Sequence, residues 1–140
     1  MLFRSDDITY AVEPFFQDGI ISQAITDVTA QGVNYFTAAG NFGTRSYAGV
    51  FNPGGAINKA HNFGGGDTLQ RIILNPGVYT FVLQWDNNFY SLNQLPGATD
   101  DLDIFLVNDN GVSYGYNRKN NWGDPVEVLT FQIKGNSPVA

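Results

Sequence analysis

The chain has 140 residues, a formal net charge of −6, and only 14% charged against 43% hydrophobic residues. That bounds it at one ordinary domain, or one small domain with part of another, and excludes a disordered chain. Its seven Lys and Arg are scattered, with only Arg118 and Lys119 adjacent, and it has no cysteine, which argues against nucleic-acid binding and excludes disulfides and thiolate metal sites, while no apolar run reaches a membrane span.

Sixteen glycines, six prolines and a 14% aromatic content favour turns and β-structure. The start Met1-Leu2-Phe3-Arg4-Ser5-Asp6-Asp7 holds no apolar stretch of signal-peptide length, so a secreted parent would carry its signal elsewhere. Asp6 and Asp7 read as solvated charges at the entry to a strand. Asp7-Ile8-Thr9-Tyr10-Ala11-Val12 is that strand, stopped by Glu13-Pro14. Ile20, Ile21, Ala24, Ile25 and Val28 then fall on one face of a helix. Asp18 suits its positive end and Gly32 its left-handed stop. Val33 to Ala38 is a second strand, running into Ala39-Gly40-Asn41. A helix between two strands implies a crossover and parallel pairing.

A loop-rich stretch follows, punctuated by Gly54-Gly55 and Gly64-Gly65-Gly66. Beyond it, Leu69 to Leu74, Val78 to Trp85, Leu102 to Val107, Val112 to Tyr116 and Val126 to Ile133 read as five strands. Asn75-Pro76-Gly77 and Asn108-Asp109-Asn110-Gly111 supply turns, the latter a hairpin signal. Tyr79, Phe81, Leu83 and Trp85 share one face, as do Leu102, Ile104 and Leu106. The expected fold class is α+β: a partial parallel strand–helix–strand unit followed by an antiparallel β-sandwich. The expected boundaries are 1–48 for the first part, 49–66 for a linker loop and 67–140 for the sandwich. Its closing strand, after Ile133, is not visible, and the sequence is expected to be incomplete.

The segment Gly32-Val33-Asn34-Tyr35-Phe36-Thr37-Ala38-Ala39-Gly40-Asn41, with Glu13-Pro14-Phe15-Phe16-Gln17-Asp18-Gly19-Ile20-Ile21 before it, resembles the subtilase family of serine peptidases, in its bacterial branch. That resemblance implies that the Asn41 amide donates to the oxyanion of the tetrahedral intermediate. Ala38, Ala39 and Gly40 would then form a wall of the primary specificity pocket. Thr9, Tyr10 and Ala11 would fall on the strand that pairs with substrate. The runs Ala60-His61-Asn62-Phe63-Gly64-Gly65-Gly66-Asp67, Leu83-Gln84-Trp85-Asp86, Asp101-Leu102-Asp103-Ile104-Phe105-Leu106 and Asn120 to Glu127 resemble a pre-peptidase C-terminal β-sandwich, inserted in some bacterial subtilases after this motif. The resemblance implies an extracellular or cell-surface parent, a polypeptide substrate and no cofactor.

A serine peptidase of this kind needs an aspartate, a histidine and a nucleophilic serine. The single histidine, His61, lies after the motif, and none of the six serines (Ser5, Ser22, Ser46, Ser91, Ser113, Ser137) follows Gly-Thr. The chain therefore carries at most a catalytic auxiliary and is expected to be inactive alone. Read without the resemblance, Asn41 is turn chemistry and His61 a surface or packing residue. Asp100, Asp101, Asp103 and Asp109, with Asn108 and Asn110, offer hard oxygens of the kind calcium takes, but without the EF-hand pattern. The aromatics read as core and cross-strand pairs, with Trp122, in a polar loop, as the candidate exposed contact. The alternative function is a non-catalytic module binding extracellular protein or glycan.

Overall fold

The computed structural model describes residues 2–54, 59–115 and 118–135. Their elements are β1 (Phe3–Asp6), α1 (Ile20–Ala30), β2 (Asn34–Thr37), β3 (Gly77–Gln84), β4 (Leu106–Val107), β5 (Ser113–Tyr114) and β6 (Val126–Ile133), with a 3-10 turn at Tyr90–Leu92. The fold is α+β: among the described residues one α-helix accompanies three two-stranded sheets, β1-β2, β3-β6 and β4-β5. Gly55, Tyr116, Ser137 and the rest of 136–140, on which parts of the expected loop, fourth strand and chain end fall, lie outside the described residues.

The strand–helix–strand unit has the expected parallel pairing, with its first strand displaced. β1 runs parallel to β2, from Phe3 opposite Asn34 to Asp6 opposite Thr37. The run 7–12, expected as that strand, is irregular. Glu13 N–H turns back to Tyr10 O at 3.1 Å, while Ala11 O and Glu13 O accept from Gln84 Nε2 at 3.3 and 2.9 Å. A side chain thus takes carbonyls that a strand would have offered to a ladder. Nor is Asp6 merely solvated. Its Oδ1 accepts from Thr37 Oγ1 at 2.6 Å and its Oδ2 from Tyr35 O–H, tying the end of β1 to β2.

α1 follows the expected stripe in part: Ile20, 66% exposed, and Ala24 lie open to solvent. Ile21, Ile25 and Val28 are half-buried, and with Ala24 and Tyr35 they line an open depression of about 300 Å³ beside Arg4, Ser5 and Asp6. The carboxylate at the helix start is Glu13, not Asp18. Glu13 Oε1 accepts from the N–H groups of Ile21 at 2.8 Å and Ser22 at 3.4 Å, satisfying orphan donors of the first turn. Asp18 contributes only its backbone carbonyl, to Gln23 Nε2. At the other end Gly32 has φ +81° and donates to Thr29 O at 2.9 Å, the left-handed stop that the sequence predicts.

The chain divides into two compact units, Met1–Thr44 with Phe81–Ile104 and Asn117–Leu129, and Arg45–Thr80 with Phe105–Tyr116 and Thr130–Ala140. In the first, Trp85, Phe89, Ala98, Pro125 and Leu129 are buried, together with the polar Gln84, Asn120 and Glu127. Trp85 N–H donates to Pro125 O at 3.3 Å. In the second, Leu106 and Ile133 are buried and the rings of Tyr114 and Phe131 lie 5.3 Å apart. Thr80 and Thr130 meet there through their hydroxyls at 3.3 Å. The pairs 85/125 and 80/130 together make β3 and β6 antiparallel.

The hairpin at Asn108–Gly111 forms as expected. β4 and β5 pair antiparallel, Gly111 at φ +76° closes the turn to Asn108 O, and Asn108 Oδ1 accepts from the N–H groups of Asn110 and Val112. Its strands are shorter than expected, Leu106–Val107 and Ser113–Tyr114. The expected strand 102–107 starts late because Ile104 N–H goes to the Glu127 carboxylate at 3.0 Å, not to a neighbouring strand. No strand forms over 69–74. There Leu69 N–H closes a local turn on Asp67 Oδ1 at 2.9 Å, a side-chain bond that competes with a ladder.

Candidate functional site

The sequence-predicted site residues Ala38, Ala39, Gly40 and Asn41 follow directly on the C-terminal end of β2. Ala38 N–H extends the β1-β2 ladder by one bond, to Asp6 O at 3.3 Å, and the chain then leaves the sheet. Gly40 makes the departure at φ +75°, where a Cβ would sit 3.2 Å from the Phe42 ring. All four residues are exposed, and no hydrogen bond within the described residues engages the Asn41 amide. In parallel sheets ligands are met at the carboxyl ends of strands, and Asn41 stands at such an end. Thr9, Tyr10 and Ala11 are exposed and lie on the irregular segment, not on a strand.

Three of the calcium candidates serve hydrogen bonds within the fold. Asp100 Oδ2 accepts from Asn87 Nδ2 at 2.7 Å, Asp101 Oδ1 accepts from Asn120 N–H at 2.8 Å, and Asn108 serves its own hairpin. Among the described residues no group of three or more His, Asp or Glu is placed to hold a metal ion. His61 is a packing residue within a ring cluster. Its imidazole lies 4.7 Å from Phe63, 5.6 Å from Phe51 and 5.7 Å from Tyr47. Nδ1 accepts from Asn52 N–H at 3.1 Å, so the neutral ring carries its proton on Nε2, 3.0 Å from the Tyr47 hydroxyl.

Sequence reasoning missed a buried polar locus. Glu127 is 4% exposed and Asn120 5%, and both Glu127 Oε1 and Asn120 Oδ1 are buried without a hydrogen-bond partner. Burial raises the Glu127 carboxyl above its ordinary value of 4.5. The nearby charges of Asp103 and Asp101 add to the rise, and the N–H groups of Ile104 and Arg118 oppose it. The signal was available in β6, where alternation with Leu129, Phe131 and Ile133 puts Glu127 on the inward face.

A raised folded-state value means that the folded chain holds the proton where the unfolded chain has lost it. Stability from this group is therefore intact below 4.5 and lost as pH rises from there through the raised value. Glu127→Gln is expected to raise the thermal midpoint at about pH 8 and to change it little at about pH 4. Melts at both pH values check this, and a larger gain in acid contradicts it.

Compared with family models, with curated proteins and with solved structures, the chain finds no match.

Proposed function

We propose that the chain is part of a subtilisin-like serine endopeptidase, that its 38–41 segment supplies the oxyanion donor, and that the β-rich remainder is an accessory sandwich of pre-peptidase C-terminal type. The observation that carries the reading is the Asn41 amide, exposed and uncommitted just beyond the end of a parallel strand. It adds to the likeness of Gly32 to Asn41 to the subtilase motif. An amide that no internal hydrogen bond engages is free to donate to developing negative charge. By the same likeness, Ala38, Ala39 and Gly40 would form a wall of the primary specificity pocket.

The reaction is acyl transfer through a serine, with base and orienting carboxylate, none of which this sequence contains in the required context. The chain alone is therefore expected to cleave no peptide. Joined to sequence that supplies the triad, Asn41→Leu is expected to lower kcat by about 10²–10³-fold, a magnitude taken over from the subtilisin asparagine that it describes. KM should change far less, because the bond forms only in the transition state. An unchanged kcat in steady-state assays overturns the assignment of Asn41.

A further inference from the structure

Trp122 occupies a backbone position that its own side chain makes costly. Gly123 N–H bonds to Asn120 O at 2.9 Å, closing a four-residue turn, and Trp122 at the third place has φ +70°. That place calls for glycine or asparagine, and a bulky residue there is an outlier. The turn is held from several sides. Trp122 N–H donates to Ala98 O, and Ala98 N–H to Gly123 O, both at 2.8 Å. The buried Asn120 amide donates to Asp124 O and Val126 O, and Asn121 Nδ2 to Thr99 O at 3.0 Å. Yet the indole that this rigid turn presents is 62% exposed, so burial of the ring does not offset the strain. Backbone strain that packing does not explain is a mark of a functional contact.

We propose that Trp122 is the stacking residue of a binding site for a neutral polysaccharide. The ring is flanked in the chain by Lys119, Asn120, Asn121, Gly123 and Asp124, with Thr99 on the paired loop. The buried Asn120 serves only the turn, but exposed Thr99 and half-exposed Asn121 and Asp124 stand near the indole along the paired loops. An indole with such polar neighbours suits a pyranose, which offers a C–H face for stacking and hydroxyls for hydrogen bonds. The rigid turn lowers the ordering cost of binding a ligand with little apolar surface. Polyanions are disfavoured by the net charge of −6 and by exposed Asp100 and Asp101. The site uses none of residues 38–41 and stands independently of the peptidase reading.

The test is affinity electrophoresis of the full chain through native gels holding hydroxyethylcellulose, galactomannan, xylan or β-1,3-glucan, with depletion by microcrystalline cellulose and chitin. Trp122→Gly and Trp122→Asn are run beside it. Both replacements favour the left-handed turn, so their melting midpoints should equal or exceed that of the parent. Retardation by at least one polysaccharide is expected, weakened about tenfold or more in both variants. The parent's tryptophan fluorescence should respond to the same polysaccharide, because Trp122 is exposed while Trp85 is buried. If neither variant folds, this fluorescence response decides. Absence of retardation and depletion by every polymer overturns the site, as does equal binding by the folded variants. Retention lost at about 1 M salt, which marks charge in place of stacking, overturns it too.

Discussion

Gly97→Ala is expected to destabilise the chain by about 2–5 kcal/mol, combining roughly 1–2 for a side chain in the left-handed region with 1–3 for overpacking. Gly97 is buried with φ +87°, and a Cβ there would lie 2.8 Å from Gly123 O, 2.9 Å from Trp122 C and 3.0 Å from Trp122 O. All three are backbone atoms of the turn latched to Ala98, so no flexible side chain can move aside. Relief requires breaking the paired bonds between Ala98 and Trp122–Gly123. Gly32→Ala is the internal comparison. It carries a similar φ of +81° but has nothing within 4 Å of the added Cβ, so only the conformational part of the cost applies. Urea denaturation of the two variants checks the difference. Equal losses would mean that crowding at Gly97 relaxes freely.

Gln84→Leu is expected to cost about 2–4 kcal/mol, since it strands several backbone groups at once. Gln84 Oε1 accepts from Phe15 N–H at 3.0 Å, while its Nε2 serves Ala11 O and Glu13 O. The leucine fills a similar volume but offers no donor or acceptor. Gln84→Glu keeps the acceptor for Phe15 and loses the donors, so it should fall between leucine and the parent. Denaturant melts give the order, and amide exchange at Phe15 should quicken most in the leucine variant. Undisturbed exchange there would show that the side chain does not hold this segment.

The features that the residues made legible are those decided locally. The stripe of Ile21, Ile25 and Val28 and the stop at Gly32 gave α1 its face and its end, because period and left-handed preference act within a few residues, while Ile20 stays exposed. The alternation in 126–133 placed β6 at its observed bounds, and Asn110-Gly111 marked the hairpin. Failures came where a side chain captured the backbone, locally at 69–74 and from a distance elsewhere. The 7–12 run has strand composition, but Gln84, more than 70 positions away, takes the carbonyl of Ala11 within it and that of Glu13 just beyond it. The 102–107 run keeps only Leu106–Val107 as strand because Ile104 N–H goes to Glu127. Composition cannot announce such partners. Asn41 is legible in another way: its position past a parallel strand follows from the crossover, while the role proposed for it comes from the resemblance.

The glutamine contacts also set an entropic condition on the N-terminal segment. Phe15 reaches Gln84 across 69 residues, and Gln17 and Gln94 exchange amide hydrogen bonds across 77, at 3.1 and 3.0 Å. Closing a flexible loop of that length costs about 3.7 kcal/mol by its logarithmic dependence on length, more than one such bond returns. Once either contact is made, the other closes only the short remainder between 15 and 17 on one side and 84 and 94 on the other. The first bond thus bears nearly the whole closure cost and the rest follow cheaply. Residues 11 to 17 consequently dock and detach as one cooperative body.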